Sequence, residues 1–160
     1  MDPVAALDAR LAALTFADLS ADAVTARLIE EIAGWGAAQG WRVYRRAPSV
    51  LTLPPPLDRQ HSVLDVACAR PDGPPLAIEV DHTDRRRTVD KLLAEAQAGR
   101  LPVWVRWGTG PFAAPPPPVR MITCAVTRRA RLFCRLPERP APSHGGPVSA
   151  AVELTIPLEG

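Results

Sequence analysis

The stretch "AIEVDHTDRRRTVDKLL", residues 77–93, decides how this chain is read. Its first half alternates like a strand, with Ile78 and Val80 on one face and Glu79 and Asp81 on the other. Its second half opens a helix over 85–98, because Val89, Leu92, Leu93 and Ala96 recur at helical spacing and Gly99 supplies the stop. A buried strand that ends in two acids on one face and then enters a basic, amphipathic helix needs a reason for those acids.

The neighbouring segments supply the frame. Upstream, "HSVLDVACA" (61–69) reads as a strand that "RPDGPP" turns into the strand over 76–82, so the two pair as an antiparallel hairpin. Val63, Asp65 and Ala67 share a face of the first strand, which places Asp65 beside Glu79 and Asp81. Downstream, "LPVWVRW" (101–107) is a further buried strand. The helix before it invites a right-handed crossover between parallel strands. In it Val103, Val105 and Trp107 share one side, while Trp104 and Arg106 take the other, Trp104 beneath a helix.

Further out, "WRVYRRA" (41–47) alternates as a strand, and the proline-rich "LTLPPPLDRQ" after it reads as a loop. Ser20 or Asp22 caps a helix through about Gln39, whose Val24, Leu28, Ile32 and Trp35 form an apolar stripe. Glu31 falls beside that stripe and Glu30 on the polar side. A short helix over 3–14 precedes it. Segments around 120–126 and 131–136 read as an added hairpin with "TRRA" as its turn. The expected organisation is one domain over 1–136, with its core at about 20–107, then a Pro/Gly-rich tail over 137–160 with a last strand at "AVELTI".

The length of 160 residues suits a single core, and the formal net charge of +2 does not by itself announce a nucleic-acid protein. Basic residues are 18 Arg against one Lys, so Lys91 stands out. Cys68, Cys124 and Cys134 have no CxxC spacing, which argues for reduced thiols rather than a metal finger. With neither a secretory signal nor a long apolar run, a cytoplasmic protein without membrane contact is expected.

Three carboxylates held close resist burial unless a proton or a cation neutralises them, and an oxygen-only donor set favours Mg²⁺ or Mn²⁺. Such an ion polarises a phosphate and acidifies a water, and Lys91 can stabilise the charge that develops. Arg85, Arg86 and Arg87 can grip backbone phosphates at the helix start. Plainer readings stand beside these: Glu79 and Asp81 as ion-pair partners of those arginines, Glu31 paired with Arg42 or Arg45, and His82, a secondary candidate for ligand or proton carrier, as a solvent-facing strand end.

An Asp on one strand, an acid at the end of the next, and the order α-β-β-β-α-β resemble the PD-(D/E)XK nuclease superfamily. The resemblance covers about residues 20–107. It implies an α/β, restriction-endonuclease-like fold with a mixed central sheet flanked by helices, and metal-dependent hydrolysis of phosphodiester bonds in nucleic acid, DNA ahead of RNA. It assigns Asp65, Glu79, Asp81 and Lys91 to catalysis and Asp65, Glu79, Asp81 and Glu31 to Mg²⁺ or Mn²⁺. It also implies a homodimer where both strands are cut. One position departs from the family: Asp81 stands where its lysine belongs, and Lys91 on the following helix is the replacement candidate. The alternative reading is a catalytically inactive binding or interaction module on the same fold, with the proline tracts at 54–56 and 115–118 as partner contacts.

Overall fold

The computed structural model describes residues 1–137. Its elements run α1 (Pro3–Ala12), β1 (Phe16–Leu19), α2 (Ala21–Ala38), β2 (Arg42–Thr52), β3 (His61–Ala69), β4 (Leu76–Asp81), α3 (Arg86–Gln97), β5 (Leu101–Gly108), β6 (Arg120–Ala125), β7 (Thr127–Arg129) and β8 (Leu132–Arg135). The architecture is α/β, with three helices, a five-stranded mixed sheet ordered β2-β3-β4-β5-β6 and a three-stranded antiparallel sheet ordered β1-β8-β7. No helix among the described residues is long and apolar enough to cross a membrane.

Local chemistry sets the helix ends. Asp2 caps α1 by accepting from Val4 N at 3.0 Å, with Pro3 in the first turn, where its missing N–H costs nothing. Ser20 caps α2 by accepting from Ala23 N at 3.2 Å, and Gly40, at φ 83°, turns the chain out of the helix. Near its end α2 lies so close to the sheet that a Cβ on Gly36 would stand 2.9 Å from Val43 Cγ2 and 3.0 Å from Cys68 Sγ.

The sheet has two different faces. One carries Val66, Cys68, Ile78, Val80, Val103, Val105, Trp107, Ile122 and Cys124 into the main core under α1 and α2. On the other, Leu92 of α3 packs with Trp104 and Val119. The alternation expected in β4 and β5 is therefore present, with Trp104 under a helix.

β2, β3 and β4 are antiparallel neighbours, and β4, β5 and β6 run parallel. The order α2-β2-β3-β4-α3-β5 matches the expected sequence of elements. The expected hairpin does not form as drawn. Segment 120–125 joins the main sheet as its fifth strand, and the hairpin is β7–β8, turning at Ala130 (φ 57°) and pairing with β1. β6 lies beside β5 because the long 109–119 connection returns it parallel, whereas a tight turn could only have reversed it. β2 also continues past Ala47 to Thr52, into what had read as loop. The last strand expected at 151–156 lies outside the described residues.

Candidate active site

β3 and β4 pair regularly from Cys68–Leu76 to Val66–Ile78, and there the register ends. The next two positions are Asp65 and Glu79, and their side chains take over the backbone bonding. Glu79 Oε2 accepts from Asp65 N at 3.1 Å, and Asp65 Oδ2 accepts from Val80 N at 2.8 Å. Arg46 of β2, at φ 54°, sits between the paired positions Arg45–Val66 and Ala47–Leu64 and marks the kink on the other side of β3. Where the strands part, two carboxylates stand against each other.

Lys91 reaches this point from α3. Its Nζ donates to Val63 O at 2.6 Å and makes an ion pair with Glu79 Oε1. Thr88, Lys91, Leu92 and Glu95 form a buried stripe at i, i+3, i+4 and i+7, so the lysine points into the sheet. That spacing was readable in "TVDKLLAE", but a stripe of mixed polarity does not announce itself as a buried face.

Burial, reinforced by the neighbouring Asp65 carboxyl, pushes Glu79 up to about 8 against the opposing pull of Lys91. One ammonium facing two carboxylates leaves the cluster one positive charge short when both acids are ionised.

Asp81 does not join the pair. Its Oδ2 accepts from Thr88 Oγ1 at 2.8 Å and from Trp104 Nε1 at 2.9 Å, and Arg85 stands 3.7 Å from Oδ1. The residue at the expected lysine position thus fastens the start of α3 to the sheet.

Glu31 lies elsewhere. It accepts from Arg10 Nε at 2.7 Å and has Arg27 at 3.7 Å, while Glu30 takes Arg45. Its seat beside the apolar stripe faces α1, which is why it misses the sheet end. The expected four-carboxylate metal set is reduced to Asp65 and Glu79. Among the described residues no group of three or more His, Cys, Asp or Glu side chains is placed to hold a metal ion. Two carboxylates with water in the remaining positions are a usual donor set for Mg²⁺. With both acids ionised, Asp65 and Glu79 would suit such an ion.

The arginine run disperses around the first turn of α3. Arg85 lines the cleft above the acids, Arg86 faces a separate groove toward Pro115, and Arg87 donates to Thr52 O at 3.2 Å. Of the three arginines expected to grip phosphates only Arg85 lines this cleft, together with Arg46, which strand alternation alone did not single out.

The cleft has a volume of about 630 Å³ and is walled by the first half of α2, the parted ends of β3 and β4, and the start of α3. Its α2 wall is mostly small, with Ala21, Thr25 and Ala26 beside Asp22 and Ile29. No family model, curated protein or solved structure matches the chain.

Proposed function

We propose that this chain is a divalent-metal-dependent nuclease of the restriction-endonuclease-like fold, hydrolysing phosphodiester bonds in nucleic acid. The observation that carries the reading is the meeting of Asp65, Glu79 and Lys91 at the point where β3 and β4 separate. The order α2-β2-β3-β4-α3-β5 and the parallel β4–β5 pair support the fold assignment.

Asp65 and Glu79 would hold Mg²⁺ or Mn²⁺, which when bound offsets their charge and acts as a Lewis acid on the phosphoryl group. Lys91 has three N–H donors and uses two, on Val63 O and Glu79, so one is left for a phosphate oxygen or the attacking water. Glu79 in turn fixes that ammonium, so the charge is in place before the transition state forms. Arg46 and Arg85 line the cleft and would neutralise flanking phosphates without reading sequence.

The test is cleavage of labelled single-stranded and duplex DNA and of RNA with Mg²⁺ or Mn²⁺, comparing wild type with Asp65→Asn, Glu79→Gln and Lys91→Met. Each variant should lose at least about 10²-fold in rate while keeping its circular-dichroism spectrum. Absence of wild-type cleavage on every substrate, or equal rates in all four proteins, overturns the reading.

A further inference from the structure

Asp65 and Glu79 line an open cleft, and so does an aromatic ring that metal-assisted hydrolysis does not use. His82 follows directly on β4 and lines the cleft together with Asp65, Glu79 and Lys91. One face of its imidazole lies on Trp107, with ring centres 3.9 Å apart and planes 15° from parallel. Phe133 of β8 meets both rings edge-on, at 5.3 Å from His82 and 5.0 Å from Trp107. His82 Nδ1 lies 3.2 Å from Trp107 O, and since a carbonyl only accepts, Nδ1 donates there. The ring is thus fixed on one face, at one edge and through one nitrogen, and it lines the cleft.

Size bears on what can reach it. Glu79 is 4 % and Lys91 8 % exposed, so a phosphate must descend to meet them. A cleft of about 630 Å³ lies within the ~300–1,000 Å³ range of small-molecule pockets. That holds a nucleotide or two, whereas a duplex keeps its bases stacked inside a much broader cylinder.

We infer that the substrate enters as an unpaired strand, with one base stacked on His82 while its phosphodiester lies at Asp65, Glu79 and Lys91. This rests on the nuclease reading for the phosphate but on the His82–Trp107–Phe133 stack for the base. A fixed aromatic face accepts any base, since every base has a π-face, so the preference is for strandedness rather than sequence. His82 acts here as a specificity residue and takes no part in bond cleavage.

The experiment is fluorescence anisotropy with Ca²⁺ in place of Mg²⁺, using a labelled oligothymidine of about eight nucleotides, the matching oligouridine and a blunt duplex. Both single strands should bind at least about tenfold tighter than the duplex. His82→Ala should weaken single-strand binding by roughly tenfold with little effect on the duplex, and His82→Phe should restore it, because stacking needs the ring and not its nitrogens. Thermal melts of both variants separate lost stacking from lost folding, and His82→Phe keeps the packing on Trp107. Duplex binding equal to that of the single strands, or His82→Ala binding like wild type, overturns the inference. Single-strand binding without cleavage in Mg²⁺ would sink the nuclease reading and leave this one standing. Duplex cleavage indifferent to His82 would do the reverse.

Discussion

Glu79 is held from three directions: Lys91 on one oxygen, Asp65 N on the other, and the Asp65 carboxyl alongside. Its acidity therefore reports on the site. In the unfolded chain the carboxyl has its ordinary value of 4.5, while burial first, and Asp65 second, raise it to about 8 in the folded protein. Between those values the native state binds more protons than the unfolded one, so stability falls as pH rises through that window. The contribution is complete below about 4.5 and gone above about 8. A divalent cation held as proposed would take the place of the proton, so Mn²⁺ should raise the melting temperature more at about pH 8.5 than at about pH 5.5. Urea titrations across that range, with EDTA and with Mn²⁺, check both statements, and Glu79→Gln should flatten the pH dependence. Lys91→Met strands Glu79 without its ammonium, and above about pH 8, where Glu79 is ionised, breaking such a buried pair should cost about 3–5 kcal/mol. Lys91→Arg should recover part of that stability but little activity, because the guanidinium is too broad to bridge Val63 O and Glu79 Oε1 in the space of an ammonium. At this scale the sequence was partly legible. Asp65 and Glu79 could be paired from strand alternation, but whether Lys91 reached them depended on the rotation of α3, which Val89, Leu92 and Leu93 do not fix alone.

That rotation is set at both ends of α3 by polar contacts. Its first turn has no side-chain cap and no acidic residue, and Arg85 at the N-cap makes no capping bond. What holds it is Asp81, bonded to Thr88 in that first turn and to Trp104 below, with Asp84, just before the helix, held by Arg106. At the other end buried Glu95 accepts from Ser49 Oγ at 2.8 Å and Val50 N at 2.7 Å, tying the helix to the far part of β2. Lys91 lies between these two fastenings. Asp81→Asn keeps an oxygen for Thr88 and Trp104, and should leave Mn²⁺ binding within about threefold of wild type while costing about 1 kcal/mol. Asp81→Ala leaves both donors without an acceptor and should cost about 2–4 kcal/mol and slow cleavage through a displaced lysine. Isothermal titration with Mn²⁺ and chemical denaturation separate the two. Loss of Mn²⁺ binding in Asp81→Asn would return Asp81 to the metal site. An acid-x-acid strand end cannot reveal this division of labour, because alternation says that Glu79 and Asp81 share a face and nothing about what covers it. Here Lys91 covers one and Thr88 the other.

Across the whole molecule, the segments legible in the sequence were those whose partners are near in the chain. β3, β4, α3 and β5 follow one another and pair or pack in order, so a turn, a period and a stop signal located each. The small sheet escaped because β1 is four residues long, bends at Asp18 (φ 54°), and finds β8 more than a hundred residues later. Yet that distant strand bears on the cleft. Phe133, 5 % exposed on β8, is inserted against Trp107 and His82, so the small sheet closes one end of the main core and steadies the ring proposed to receive a base. Phe133→Ala would open a cavity beside Trp107 and should cost about 3–5 kcal/mol. Because Asp65, Glu79 and Lys91 have none of their bonds with β8, the ion pair and the cation site should survive in the folded fraction. The variant should therefore keep Mn²⁺ affinity at low temperature while losing single-strand affinity along with His82→Ala. Phe133→Leu, which fills most of the space without an aromatic edge, should recover stability more than binding. Parallel titrations with Mn²⁺ and oligothymidine on the three proteins measure this separation. Equal losses of both ligands in Phe133→Ala would mean that the small sheet supports the site as a whole, with no particular claim on the base.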